Sequence, residues 1–243
     1  MSSTTLAPLV EAASACYRDG GRFGWHFARG KLAGDPVFSV LLSRGLLAGS
    51  LRVLDLGCGQ GLLAAWLLAA RVTYAGGESA GWPRGWPAPP LLECYTGVEI
   101  NPREAARARA AGAHLALAHF TIVEGNVTEV EYVAADAIVI LDVLHYLDRA
   151  AQEVVLAKAR SALAPGGRLL LRVGDAAGGL GFTVSQVVDT AVALARRRRL
   201  VRLHCRALRG WLELLARAGF SARLVAENHG AAFRNVILMA RAA

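Results

Sequence analysis

Apolar positions along the chain follow two alternating rhythms. Short β-compatible runs recur at Arg52–Leu56, Leu92–Ile100, Phe120–Glu124, Ala137–Leu141 and Arg168–Val173. Between them lie stretches with helical spacing or composition, at Gly61–Ala70, Pro102–Ala111 and Arg149–Leu163. Strands that alternate with helices of this length predict βαβ units and a parallel sheet. Ala137–Leu141 is apolar throughout, as a central parallel strand buried on both faces must be. Further on, Thr183-Val184-Ser185-Gln186 forms a capping box that opens a helix to about Arg199. Arg206–Ala218 reads as another helix, ended by Gly219. Phe220–Glu227 and Ala232–Arg241 read as two strands joined by Asn228-His229-Gly230-Ala231.

The first 45 residues have a different character and predict a helical cap ahead of a main domain at 46–243. Leu6–Tyr17 has a helical spacing of apolar side chains, and Asp19-Gly20-Gly21 breaks it. An aromatic and basic patch follows: Arg22, Phe23, Trp25, His26, Phe27, Arg29 and Lys31. Asp35-Pro36 then supplies an N-cap and a proline at the first helical position. Within the main domain, residues 76–90 are rich in Gly, Trp and Pro and cannot form a regular element. They read as an insertion before the second strand.

The chain's chemistry concentrates where strands end. Val53-Leu54-Asp55-Leu56-Gly57-Cys58-Gly59-Gln60-Gly61 runs from a buried strand through alternate glycines into a helix. Alternate glycines allow a tight turn and leave no Cβ in a ligand's way. The free N–H groups of the helix start are then expected to face that ligand. Asp55 lies at the strand's carboxyl end, where open α/β sheets bind ligands. Glu99 ends the second strand, ahead of the capping box Asn101-Pro102-Arg103-Glu104. A carboxylate there can accept both hydrogen bonds from a ribose diol. The dinucleotide fingerprint places its acid about 20 residues after the glycines. Here an acid precedes them, which disfavours a nicotinamide-dependent oxidoreductase.

Asp-x-Gly-x-Gly-x-Gly resembles motif I of the class I S-adenosylmethionine-dependent methyltransferases, and Glu99 is similar to the acid of their motif II. The resemblance implies a Rossmann-like, doubly wound α/β fold with a seven-stranded sheet in the order 3-2-1-4-5-7-6, strand 7 antiparallel. It implies S-adenosylmethionine as cofactor, held by Asp55, Gly57, Cys58, Gly59, Gly61, Glu99, Ile100, Asn126, Val127 and Leu141. Asp55 would serve the donor's ammonium group, directly or through water. Ile100 would pack on adenine, and Asn126 would accept a hydrogen from the adenine amino group. Leading helices in this family cover the cofactor, so Tyr17, His26 and Lys31 are candidates to face its carboxylate or the substrate. Leu163-Ala164-Pro165-Gly166-Gly167 matches the family's turn before strand 5.

Asp142-Val143-Leu144-His145-Tyr146-Leu147 resembles motif IV of small-molecule methyltransferases. Asp142, His145 and Tyr146 are the catalytic candidates, with His145 as a base because imidazole titrates near working pH. The amino-methyltransferase signature Asp/Asn-Pro-Pro-Tyr/Phe is absent here, as is a Pro-Cys nucleophile. No acidic pair follows strand 5 to suggest a magnesium site. The resemblance therefore favours a small or carrier-bound organic acceptor, methylated on oxygen. Gly30-Lys31-Leu32 with Asp35-Pro36-Val37-Phe38 is similar to stand-alone bacterial methyltransferases of acyl-chain or aryl-polyene biosynthesis. The other readings are an RNA- or ribosome-directed methyltransferase and a relative that binds the cofactor without turnover.

Composition adjusts this picture at the margins. At 243 residues and 54 % hydrophobic, the chain can bury the core of one large α/β domain. No apolar run is long enough for a transmembrane segment and the first residues lack a signal-peptide pattern, so a cytoplasmic enzyme is expected. Cys16, Cys58, Cys94 and Cys205 are scattered, with no Cys-x-x-Cys, so no metal site is expected and reduced thiols are. The net charge of +8 owes much to Arg196, Arg197, Arg198 and Arg199, which would favour an acidic partner such as an acyl carrier. No nucleic-acid-binding module accompanies that charge.

Overall fold

The computed structural model describes residues 6–19, 21–176, 203–228 and 235–243. The described strands form one seven-stranded sheet in the order β3-β2-β1-β4-β5-β7-β6, numbered along the chain. They are β1 (Arg52–Leu56), β2 (Cys94–Glu99), β3 (His119–Glu124), β4 (Ala135–Leu141), β5 (Leu163–Gly174), β6 (Phe220–Asn228) and β7 (Asn235–Ala242). This is the expected order. The chain divides into two compact units, Met1–Ala137 and Ile138–Ala243.

In the first unit, β1 pairs in parallel with β2, and β2 with β3. The cap is helical over α1 (Ala7–Ser14), α2 (Arg22–Gly34) and α3 (Pro36–Ser43). The patch after Gly21 is thus a helix, with Gly24, Ala28 and Leu32 buried along one face. Gly24, Gly30 and Gly34 do not set its fate; burial of that stripe does. Asp35 caps α3 as expected, its Oδ1 accepting from the Val37 N–H at 3.1 Å. Helix α4 (Leu62–Ala75) runs beyond the expected end at Ala70, and α1 packs on it. Helix α5 (Pro102–Gly112) starts on its Asn101 cap.

The 76–90 insertion holds only a short 3-10 turn, Glu78–Ala80. Trp82 is buried, edge-on to both Tyr74 and Trp86. Its segment also meets the cap, for a Cβ on Gly81 would lie 3.1 Å from Pro8. The insertion is therefore partly core.

In the second unit, β7 lies between β5 and β6 and is antiparallel to both. Helix α6 (Arg149–Ala162) is capped by Asp148. The helix stops where Pro165 and the following glycines predicted, but the chain becomes extended at once, at Leu163. Pairing with β7 begins at Arg168. Helix α7 (Leu208–Arg217) buries Trp211, Leu214 and Leu215, and Trp211 Nε1 donates to the Gly174 carbonyl at 3.0 Å. The helix expected over 183–199, with Arg196–Arg199, lies outside the described residues. No described helix is long and apolar enough to cross a membrane.

Candidate active site

The glycine turn is braced from behind by β2. The N–H groups of Gly57 and Cys58 both donate to the Val98 carbonyl, at 2.8 and 3.0 Å. Gly61 donates to the Cys58 carbonyl at 2.9 Å, and Gly59 donates to Glu99 Oε2 at 3.0 Å. These four amides hold the turn, ahead of the first helical residue, Leu62. Gly57, Gly59 and Gly61 all have positive φ, which a β-carbon disfavours. A Cβ on Gly59 would meet no atom within 4 Å, so one side of the turn is open space.

Two carboxylates flank that turn. Asp55 is opposite Gly97 in the β1–β2 register, so Tyr95, Gly97 and Glu99 share its face of the sheet. Tyr95 donates its hydroxyl to Asp55 Oδ2 at 2.6 Å. Burial pushes the Asp55 carboxyl up to about 7; the Tyr95 bond opposes this and the Glu99 charge adds to it. Gly97 is required for this packing, because a Cβ there would come within 2.6 Å of Cys58 Sγ. Glu99 uses one oxygen on Gly59 and the other on the Asn101 N–H, at 2.7 Å. An ionised carboxylate has about four lone-pair sites, so Glu99 keeps acceptor capacity for a diol.

Ile100 follows Glu99 and is 66 % exposed, an uncovered aliphatic surface beside the acid. Asn126 Oδ1 accepts from the Thr128 N–H at 3.1 Å and its Nδ2 donates to Glu129, so its amide is engaged in its own turn. Val127 is buried beside it. The first unit thus brings together Asp55, the turn, Glu99 and Ile100: acceptors for a cation, acceptors for a diol and an apolar platform, which fit an adenosyl sulfonium.

The cap candidates each have partners within the chain. Lys31 pairs with Asp35 at 2.6 Å, and His26 packs on Trp25 with ring centroids 4.6 Å apart. Tyr17 is buried and donates its hydroxyl to the Gln60 carbonyl at 2.9 Å, tying the cap to the turn. Tyr17→Phe is expected to destabilise the fold by about 1–2 kcal/mol through that unmet buried carbonyl. Donor affinity should fall by less than about tenfold. Thermal melts and calorimetry on the same variant check both.

In the second unit, Leu141 ends β4 and Asp142 adopts φ +60, the one described non-glycine residue with positive φ. It is held there by Arg172, whose Nε donates to Asp142 Oδ1 at 2.9 Å and whose Nη2 meets Oδ2. The Asp142 N–H also donates to the Arg172 carbonyl at 3.0 Å. Strain of this kind persists where the surroundings over-determine it. His145 and Tyr146 lie on a 3-10 turn, Leu144–Tyr146, with ring centroids 4.4 Å apart. Buried Gln152 braces that turn, its Nε2 donating to the carbonyls of Leu144, Leu147 and His204. The His204 N–H donates to the His145 carbonyl at 2.7 Å. Tyr95 and Arg172 were missed in sequence because their partners lie 40 and 30 positions away, as was the link from Gln152 to His204, 52 positions away. No group of side chains that could hold a metal ion occurs among the described residues.

Residues 25–225 match a family model described as a methyltransferase domain. The chain belongs to the class I, S-adenosylmethionine-dependent methyltransferases. No curated protein matches its sequence. Among solved structures, this methyltransferase is similar to the magnesium protoporphyrin IX methyltransferase of Synechocystis PCC 6803, crystallised with S-adenosylhomocysteine. Their TM-score is 0.60 at 20 % identity, over 94 % of this chain and 92 % of that one. An O-methyltransferase family protein from Burkholderia thailandensis gives 0.62 at 20 %, over 93 % and 62 %. The mitomycin 7-O-methyltransferase gives 0.60 at 22 %, over 100 % and 61 %. The methyltransferase therefore spans about three-fifths of those two O-methyltransferases. At these identities the likeness is one of fold.

Proposed function

We propose that the protein transfers a methyl group from S-adenosylmethionine to an oxygen of a small or carrier-bound organic acceptor. The observation that carries the donor half is the pair of carboxylates on adjacent strands, Asp55 and Glu99, either side of the glycine turn. Asp55 meets the ammonium and Glu99 the ribose diol, while Ile100 covers adenine. When bound, the sulfonium supplies a methyl already open to nucleophilic attack, so alignment is the chain's main task. Alignment can supply about 7–11 kcal/mol.

The acceptor half rests on Asp142, His145 and Tyr146. The Arg172 pair consumes the Asp142 carboxylate, which leaves His145 as the base that takes a hydroxyl proton. The resemblance at Gly30-Lys31-Leu32 and the basic Arg196–Arg199 run support a carrier-bound acceptor over a free one. His145→Ala is expected to slow turnover by about 10²–10⁴-fold, the range for general-base catalysis, with donor binding nearly unchanged. Turnover equal to the wild type would make His145 structural.

The experiment that tests the whole reading is incubation with methyl-labelled S-adenosylmethionine and host extract, followed by identification of the labelled species. Label in a small molecule or a carrier-linked acyl chain, in an alkali- or acid-characterised ether or ester, is the expected outcome. Label in RNA would replace this reading with a nucleic-acid acceptor, and no transfer would leave a binding protein.

A further inference from the structure

Between the cap and helix α5 lies a cavity of about 120 Å³ that the donor site does not use. Its lining includes Tyr17, Gly24, Gln60, Arg107, Ala111 and His114, and none of Asp55, Glu99, Ile100 or Asn126. The Gln60 side chain is only 3 % exposed, and its Oε1 has no hydrogen-bond partner. That is an anomaly, since buried polar atoms are nearly always satisfied and each exception asks for an explanation. Its own main chain is already engaged, because the Gln60 carbonyl accepts from Tyr17.

The lining is asymmetric. Tyr17, Gly24 and Ala111 are buried, and the tyrosine ring and alanine methyl give the lining its apolar part. The polar rim comprises Arg107, His114 and Asp19, each partly open to solvent. Its charges largely balance one another. Arg107 pairs with Glu104 at 2.8 Å and lies over the Phe23 ring, and His114 Nε2 sits 3.4 Å from Asp19. An ion is therefore not what the cavity selects. Apolar walls around a few placed polar groups are what small-molecule sites have. A closed apolar cavity of about 150 Å³ accepts benzene. The present one, open at its rim, suits one six-membered ring.

We propose that this cavity is a second binding site, for a small phenol whose ring lies against Tyr17 and Ala111 and whose hydroxyl donates to Gln60 Oε1. The site is distinct from the donor crevice and does not depend on the acceptor proposed above.

Titration of the full chain with phenol, followed by amide NMR in the presence of saturating S-adenosylhomocysteine, tests it. Phenol is expected to shift the signals of Tyr17, Gln60 and Ala111 saturably. Fluorobenzene, the same ring without a donor, should bind about tenfold more weakly, the effect of one lost hydrogen bond to a buried acceptor. Ala111→Leu fills the cavity and should abolish the phenol shifts. Gly24→Ala, which suits a helix and whose Cβ has room at 3.9 Å from the Tyr17 carbonyl, should weaken them while keeping the fold intact. Equal binding of phenol and fluorobenzene would overturn the proposal. So would phenol shifts confined to other residues, shifts unchanged in Gly24→Ala, or none up to the solubility of phenol.

Discussion

Glu99→Ala is expected to weaken S-adenosylmethionine binding by about 1–3 kcal/mol, or roughly 5- to 150-fold in Kd. Two losses combine in that figure. The carboxylate no longer accepts from the ribose diol it is proposed to bind, and the Gly59 and Asn101 N–H groups lose the acceptor that fixes the turn to the end of β2. Glu99→Gln separates the two. An amide oxygen can keep one backbone bond, but its other end is a donor and cannot accept from a second N–H. The glutamine variant should therefore fall between wild type and alanine in donor affinity. Calorimetry with S-adenosylmethionine or S-adenosylhomocysteine reads both variants. Unchanged affinity in Glu99→Ala would remove this residue from the site.

That the acid at the end of β2 could be picked out at all reflects how local the governing physics is. A strand that ends in Glu, with Asn-Pro one residue beyond, states its own boundary, because asparagine caps and proline starts the next helix. The same holds for Asp55 and its glycines. The sheet order followed from the resemblance those residues carry. What stayed hidden depends on contacts between distant segments. Tyr95 meets Asp55 diagonally across two strands 40 positions apart, and nothing near either residue announces it. The Arg172–Asp142 pair joins the ends of β4 and β5 in the same way.

Helix α2 shows the opposite difficulty. Gly24, Gly30 and Gly34 lower its intrinsic helicity, so its local sequence reads as a patch of aromatic and basic residues. Yet Gly24, Ala28 and Leu32 recur every four residues and are all buried. The spacing was a legible signal, masked because two of the three side chains are too small to register as hydrophobic. The hydrogen bonds inside the glycine turn were illegible for a different reason. Glycine spacing reveals that a backbone can approach a ligand, but not which of its polar groups are already committed.

Asp55→Asn is expected to stabilise the ligand-free protein at pH 8 while weakening donor binding. The buried Asp55 carboxyl holds its proton up to about pH 7, against an ordinary value of 3.8. Between those values the folded state binds more protons than the unfolded state, so stability falls as pH rises and levels off above about 7. Asparagine has no charge to desolvate and its oxygen can still accept from Tyr95. At about 1.4 kcal/mol per pH unit, the gain at pH 8 is on the order of 2–4 kcal/mol, and it should vanish near pH 4. With the ammonium at Asp55, as proposed above, donor binding moves the other way, because that group then faces a neutral amide instead of a carboxylate. A charge-assisted hydrogen bond is worth about 1.5–3 kcal/mol, so Kd should rise by at least tenfold.

The same linkage gives the wild type a signature. Below about pH 7, binding the ammonium must draw the proton off Asp55. Donor affinity should therefore rise with pH up to that point, and calorimetry in buffers of different ionisation enthalpy should detect a released proton in the wild type and none in Asp55→Asn. Melts showing the asparagine variant no more stable at pH 8 than the wild type would mean that Asp55 is ionised in the free protein. In that case Tyr95, whose hydroxyl already reaches it, would be compensating for burial far more fully than one hydrogen bond ordinarily does.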